Sequence, residues 1–455
     1  MELVSPMTRR HFFTPWPTGP KKRPPMRIVQ KYGGSSVGSL ERIRAVAQRC
    51  IETAASGEHE LLVVVSAMAG ETDRLIGLSN RLLAGGEGRG ESEAGVRWVA
   101  PKNLGDPGHE RELSQLISTG EKVSASLVAM AIMQQGGRAQ SMVGHQLGLK
   151  TDRRFTNARI LDIEVEQLEA ALASGRIVVC AGFQGLDEDG NITTLGRGGS
   201  DTSAVALAAA VNADVCEILT DVDGVYTTDP RVVPSARKLD RIAHEEMLEL
   251  ASLGAKVLQI RSVEFAMKYD VPLHVRSSLN RNEGTWIVAE DKDMESVVVR
   301  GVALDRNEAK VTLTDCPDVP GTVAAVFQTL GAAGVVVDMI IQNASREGHT
   351  DVTFTVPEDQ LDKTRELLGD LALVKNSPAT EIITDPQICK ISIVGVGMRT
   401  HAGVAARAFA ALAKENINIQ MVSTSEIKVS VVVDERYGEL ALRALHDGFG
   451  LGEEA

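Results

Sequence analysis

Cysteine is scarce and scattered in this chain: Cys50, Cys180, Cys216, Cys316 and Cys389 are its five, and none forms a CxxC pair, which excludes a zinc ribbon or a dithiol redox site. Three of them sit in apolar, strand-like runs, the pattern of reduced core thiols in a cytoplasmic protein. Aromatic residues are equally sparse at 4%, so the hydrophobic share of 43% rests on Ala, Val, Ile and Leu, which suits buried parallel strands covered by helices. Excess positive charge is missing too. A formal net charge of −13 gives no general attraction for nucleic acid or an anionic membrane, so a phosphate ligand must be held by local groups. No apolar run approaches a membrane span, and the basic, proline-rich stretch before Met26 lacks the apolar segment of a secretory signal. It reads as an extension outside the fold. No Gly-Lys dipeptide exists, which removes a phosphate loop of the Gly-x4-Gly-Lys-Ser/Thr kind. Gly395-Val396-Gly397 is followed by Thr400 where a dinucleotide fingerprint needs glycine.

What is present is glycine, in two informative turns. A strand-like run over 27–31 breaks into Tyr32-Gly33-Gly34-Ser35-Ser36 and then a helical stretch. Paired glycines let backbone N–H groups approach an anion, and a helix start adds positive potential. Lys31 would contribute a mobile point charge. Alone, this segment reads equally as an ordinary strand-to-helix turn. The second turn, Thr193-Thr194-Leu195-Gly196-Arg197-Gly198-Gly199-Ser200-Asp201, follows an apolar strand at 177–181 and precedes an Ala-rich helix. Ser200 is expected to cap that helix with Asp201 in its first turn. Two such turns on one sheet edge favour a phosphate site.

From 27 to about 290 the pattern alternates β and α, with strands expected at 27–31, 61–66, 177–181, 215–220 and 272–276 and helices near 43–51, 123–133 and 247–258. The Gly-, Glu- and Arg-rich stretch 84–108 has no periodicity and reads as a surface loop or lid. Beyond about 293 a different unit occurs twice: a strand at 311–314, Gly321 opening a helix and a strand at 335–341 recur as 391–394, Gly403 and 417–422. Gly321 to Met339 and Gly403 to Met421 are both 18 residues, an internal duplication, each copy followed by a further strand at 351–356 or 427–433.

Taken in order, Lys31 to Ser36, Ser66-Ala67-Met68, Gly120-Glu121-Lys122, Thr193 to Asp201, Thr220-Asp221-Val222-Asp223-Gly224-Val225-Tyr226, Asp229-Pro230-Arg231 and Gly254-Ala255-Lys256 resemble the motifs of the aspartokinase branch of the amino acid kinase family. The duplicated unit resembles a tandem pair of ACT domains. The resemblance implies a layered α/β kinase fold with a mainly parallel sheet, followed by two ferredoxin-like βαββαβ units, with divisions at 1–26, 27–293, 294–380 and 381–455. It implies transfer of the ATP γ-phosphoryl group, with Mg2+, to the side-chain carboxylate of L-aspartate. That carboxylate is already ionised at neutral pH, so the demand is for positive charge and fixed geometry rather than a base.

Under the same resemblance Lys31 and Asp201 are the catalytic pair, and Ser66, Thr72, Glu121, Arg197, Gly198, Gly199 and Ser200 hold the substrate. Arg197 would grip the α-carboxylate with its planar fork and Glu121 would accept the α-ammonium. ATP would meet Lys31, Tyr32, Gly33, Gly34, Thr220, Asp221, Val225, Tyr226, Asp229, Pro230, Arg231 and Lys256. An amino-acid effector, lysine and/or threonine, would meet Asp318, Gly321, Val323, Asp338, Gln342, Val404, Asn418, Ile419 and Ser425. Val336 stands where the second copy has Asn418, so the two copies are not expected to bind alike. No metal site made by the protein alone, nucleic acid or membrane is expected, and the assembly would be a homodimer or an α2β2 form whose regulatory chain starts at Met294. By themselves Glu121 and Asp201 are helix-start acids, and Asp223-Gly224 and Asp229-Pro230 are turn formers. Another amino-acid kinase, or a non-catalytic amino-acid sensor, are the competing readings; intact Lys31 and Arg197 count against the sensor.

Overall fold

The computed structural model describes residues 26–83, 107–253, 257–291, 297–343, 348–375 and 380–452. The extension before Met26, nearly all of the expected 84–108 loop, Met294 and Lys256 lie outside them. An eight-stranded sheet organises the first half. In spatial order Ala139–Met142, Ile177–Ala181, Glu60–Val65, Arg27–Tyr32, Val215–Thr220 and Leu273–Ser277 run parallel, and Thr285–Val288 and Arg241–Ala243 complete one edge. The central strands are near-continuous apolar runs such as LLVVV and IVVCA because both faces are covered. Leu40–Gly57 and Thr119–Gln134 cover one face. Gly199–Ala210, Glu166–Ala173, His244–Ser252 and Ile260–Tyr269 cover the other. Ser39 caps the first of these helices by accepting Arg42 N–H, so that helix begins six residues after Gly34 rather than directly behind the turn.

Three local expectations change. The helix foreseen across 247–258 ends at Ser252, and a separate helix starts at Ile260. Pro107–Ile117 and Thr119–Gln134 together reach the length and apolarity of a membrane span, 108–134, which was not foreseen. Half of that window is buried, and Ala125, Val128, Ala129 and Ile132 pack on the sheet, so the pair is a core element. A small second sheet of Leu149–Thr151, Ile160–Ile163, Gln184–Leu186 and Ile192–Thr194 also went unforeseen, since strands of three or four residues show no usable period.

The duplicated half forms two four-stranded antiparallel sheets. One contains Glu308–Pro317, Ile340–Gln342, His349–Pro357 and Ile382–Asp385; the other contains Ile388–Val394, Met421–Thr424, Lys428–Asp434 and Gly301–Asp305. The sheets therefore do not divide at 380. The first unit runs from 308 to 385 and is inserted between the Gly301–Asp305 strand and the remainder of the second unit. Strand pairing joins residues distant in sequence, and the repeat spacing alone does not reveal it. The second strand of each copy is shorter than expected, Ile340–Gln342 and Met421–Thr424.

Candidate active site

Register aligns the ends of the central strands. Tyr32 pairs with both Val65 and Leu219, and Val65 with Ala181. Four loops therefore leave one carboxyl edge, the place where open α/β sheets bind ligands: 33–39, 66–70, 182–183 and 221–224. Lys31, one residue before its strand ends, is buried with Nζ 2.5 Å from Asp201 Oδ1. Asp201 stands in the first turn of Gly199–Ala210, so this ion pair joins the two glycine turns. Gly34 is required sterically, because a Cβ there would lie 2.8 Å from the Ala67 carbonyl oxygen. Gly33 donates its N–H to Leu219 O at 3.2 Å. Of the two amides expected at a phosphate, only that of Gly34 has no partner among the described residues.

Tyr32 departs from expectation as a nucleotide contact. Its ring is fully buried beneath Leu40–Gly57, and its hydroxyl donates to Gln30 Oε1 at 3.1 Å. Strand alternation sends Lys31 and Tyr32 to opposite faces of the sheet, so only Lys31 reaches the edge occupied by Asp201.

Gly120 touches Ala67 so closely that a Cβ would come within 2.7 Å of Ala67 Cβ. That contact seats the start of Thr119–Gln134 against the 66–70 loop, where Glu121 Oε1 accepts Ala67 N–H at 3.0 Å. Its second oxygen is buried and has no partner among the described residues. Burial drives the Glu121 carboxyl up to about 7, the Ala67 hydrogen bond offsetting part of that rise. A buried carboxyl with one open acceptor suits a cation. Ser66 opens the 66–70 loop directly after the strand Glu60–Val65, Thr72 follows that loop in the first turn of Glu71–Leu83, and both are half-buried.

The Arg197 loop is held from outside. Gly198 sits in the left-handed region (φ +69°) as N-cap of Gly199–Ala210, and a Cβ there would fall 1.7 Å from Gln259 Cγ. Arg261 donates to Leu195 O at 2.5 Å and Ala158 O at 2.8 Å. Arg197 itself is exposed, and its side chain has no hydrogen bond or ion pair among the described residues. Ser200 lies inside the first helical turn rather than capping it, since the helix begins one residue earlier at Gly199. Gly182 permits that start to rest on the strand end: a Cβ there would meet Ser200 Cβ at 3.0 Å.

On the other side, Thr220 Oγ1 donates to Asp221 at 3.1 Å. Asn280 and Asn282 donate to the Asp223 carboxylate at 2.7 and 3.2 Å. Asp229 and the exposed Arg231 pair with each other at 2.7 Å, beside the exposed Pro230, and Tyr226 is half-buried. Val225 differs from expectation. Its side chain is in the core, its N–H donates to Thr285 Oγ1 and its carbonyl accepts Leu239 N–H, both at 2.8 Å, so it has nothing left to offer a nucleotide. Gln259, Arg261, Asn280 and Asn282, which shape these loops, belong to no motif, and the sequence carried no signal for them.

The amino acid kinase family model matches residues 26–277, and ACT domain models match 310–373 and 391–449. An aspartokinase of Pseudomonas aeruginosa is 52% identical over 430 residues, covering 94% of this chain and 98% of its own. The chain belongs to the aspartokinase family. An aspartokinase of Corynebacterium glutamicum is 47% identical over 432 residues, covering 94% and 97%. The crystal structure of E. coli aspartokinase III in complex with aspartate and ADP superposes with a TM-score of 0.71 at 27% identity, covering 92% of this chain and 99% of that one.

In the regulatory half of this aspartokinase-family chain, Asp318, Gly321, Val323 and Gln342 line a cavity of about 330 Å3 with Thr322, Thr350 and the 317–320 turn. Gly321 N-caps Thr322–Ala332 at φ +104°. Asp338 is not among them: its carboxylate lies 2.5 Å from the buried Lys390 Nζ of the second unit, which Glu308 also meets at 2.6 Å. In the second copy Val404 is buried in the core, Ile419 packs against it, and Asn418 and Ser425 are exposed.

Proposed function

We propose that this protein transfers the γ-phosphoryl group of ATP to the side-chain carboxylate of L-aspartate, forming 4-phospho-L-aspartate, the first step toward lysine, threonine and methionine. The observation that carries the reading is the buried Lys31–Asp201 pair joining the two glycine turns, with Arg197, unpaired among the described residues, on one of those turns and the open oxygen of Glu121 in the first turn of Thr119–Gln134, against the 66–70 loop. Lys31 neutralises charge as the phosphoryl group moves, and Asp201 fixes the position of its ammonium. Arg197 takes the α-carboxylate bidentately, while Glu121 takes the α-ammonium. An acidic and a basic group read a free amino acid as a zwitterion, which disfavours an N-acetylated acceptor or a nucleotide. Mg2+ arriving with the nucleotide would supply charge to offset the phosphates, and Asp221, exposed at the strand end, is the residue that would help hold its water shell.

Feedback by lysine and/or threonine belongs to the same reading, with the cavity of the first copy as the effector site. The assembly is a homodimer or an α2β2 form, and its place is the cytoplasm. The deciding experiment supplies ATP, Mg2+ and aspartate with hydroxylamine, which converts an acyl phosphate to a hydroxamate. Hydroxamate formed in step with ADP, and absent with N-acetylglutamate or a nucleotide acceptor, is the expected result. ATP turnover without hydroxamate would refute the proposal.

A further inference from the structure

The chain following Gly224 is a hairpin that ends inside the regulatory half. Its arms join through Leu239 N–H to Val225 O and Thr227 N–H to Arg237 O, each 2.8 Å. Its tip buries Val233 with Val299, Val302 and Leu445 in the core of the second regulatory unit. Thr227 is where the two halves meet. It is 1% exposed, and all its polar groups are engaged: its carbonyl accepts Val302 N–H at 2.8 Å, and its Oγ1 accepts Arg237 N–H at 3.0 Å and lies 3.0 Å from His446 Nε2. Oγ1 and Nε2 share one hydrogen bond, whose donor is set by the tautomer of the His446 imidazole. His446 is fully buried on the helix Gly438–Gly448; that burial pushes its pKa down, while Asp447, 3.7 Å from Nδ1, pulls it the other way. Gly301 packs on the Thr227 carbonyl, where a Cβ would come within 2.9 Å.

We infer that His446 is a positioning residue for the nucleotide site: through Thr227 it fixes Tyr226 and the Asp229-Pro230-Arg231 turn. The second regulatory unit is then part of the structure that binds ATP, not only a carrier of effectors. This rests on the reading above that residues 220–231 meet ATP. Neither Thr227 nor His446 touches Lys31, Glu121 or Arg197, so aspartate handling should be left alone.

The test uses the full-length chain carrying Thr227→Val, Thr227→Ser, His446→Ala, His446→Gln, or Thr227→Val with His446→Ala. Binding of a non-hydrolysable ATP analogue is measured by calorimetry beside the KM for ATP and for aspartate. Loss of the Thr227–His446 hydrogen bond in His446→Ala should weaken nucleotide binding about three- to tenfold, and Thr227→Val, which also removes the acceptor of Arg237 N–H, should weaken it at least as much. The aspartate KM should not change, Thr227→Ser should retain wild-type values, and the double variant should be no worse than Thr227→Val alone. A merely structural contact would lower the melting temperature and leave the ratio of the two KM values unmoved. Wild-type analogue affinity in folded Thr227→Val and His446→Ala overturns the inference. If His446→Ala does not fold, Thr227→Val against Thr227→Ser decides. Calorimetry needs no acceptor, so a wild type that binds the analogue but fails to phosphorylate aspartate would sink the functional proposal alone.

Discussion

Lys31 and Asp201 each keep the other's charge buried, and that double role makes simple substitution ambiguous. Lys31→Met should lower kcat by about 100-fold or more, because the ammonium acts on charge that develops in the transition state. It also strands the Asp201 carboxylate, which will lower stability. Adding Asp201→Asn should recover much of the melting temperature and none of the turnover. Recovery of turnover in the double variant would mean that Lys31 is structural. Glu121 offers a cleaner signature. Its carboxyl is raised to about 7 by burial, so the folded state holds its proton more tightly than the unfolded chain does. The associated stability is complete below the ordinary carboxylate range and is lost as pH rises through about 7. The unliganded protein should therefore lose stability between about pH 5 and pH 8, and Glu121→Gln should flatten that trend. Substrate binding has the opposite sign, since an ammonium needs the carboxylate. The aspartate KM should climb as pH falls below about 7 in the wild type, whereas Glu121→Gln should show a KM raised about tenfold with no such slope. Identical KM profiles in the two proteins would remove Glu121 from the ammonium site.

Loops rather than helices or strands set the site, and they are placed by close contacts that only small residues permit. The start of Thr119–Gln134 reaches the 66–70 loop because Gly120 and Ala67 have almost no side chain between them. Gly120→Ala should push Glu121 away, raise the aspartate KM several-fold and lower the melting temperature; Ala67→Gly in the same chain should restore both in part. A double variant with no recovery would show that the fault lies elsewhere than in this contact. Here the limits of reading a sequence become concrete. The two turns that carry Lys31, Gly34, Arg197 and Asp201 were legible as strand-to-helix turns, because a strand, a glycine turn and a helix start leave a local pattern, and the ion pair of Lys31 with Asp201 joins them. The same pattern misassigned Tyr32 and Val225, whose neighbours lie at the edge while their own side chains face the core, a distinction that needs the face of the strand and not only its position. Ser200 was misplaced as a cap by two residues, since Gly198 holds that position, a distance within the usual spread of helix ends. Gln259, Arg261 and Asn280 act through contacts with residues far away in the chain, and single polar residues carry no periodicity.

The long-range arrangement of the regulatory half was legible as a duplication and illegible as a topology. Insertion of the first unit between Gly301–Asp305 and the remainder of the second makes the two inseparable, and the lysines at matching positions underline it. Lys390 reaches Asp338 of the first unit, and Lys310 reaches Gln420 of the second. Asp338 is engaged in that seam and does not line the first-copy cavity, whereas Gln342 and Asp318 do. The resulting expectation concerns inhibition. An inhibitor acts only through its greater affinity for the less active arrangement, so losing one or two hydrogen bonds at about 1 kcal/mol each should weaken inhibition several-fold. Gln342→Ala should do this while uninhibited activity stays near wild type. Asn418→Ala, at the exposed matching place in the second copy, should have the smaller effect. Lysine and threonine are titrated singly and together against each variant. If Asn418→Ala relieves inhibition and Gln342→Ala does not, the effector occupies the second copy. If neither curve moves while the wild type is inhibited, the effector binds somewhere other than these two places.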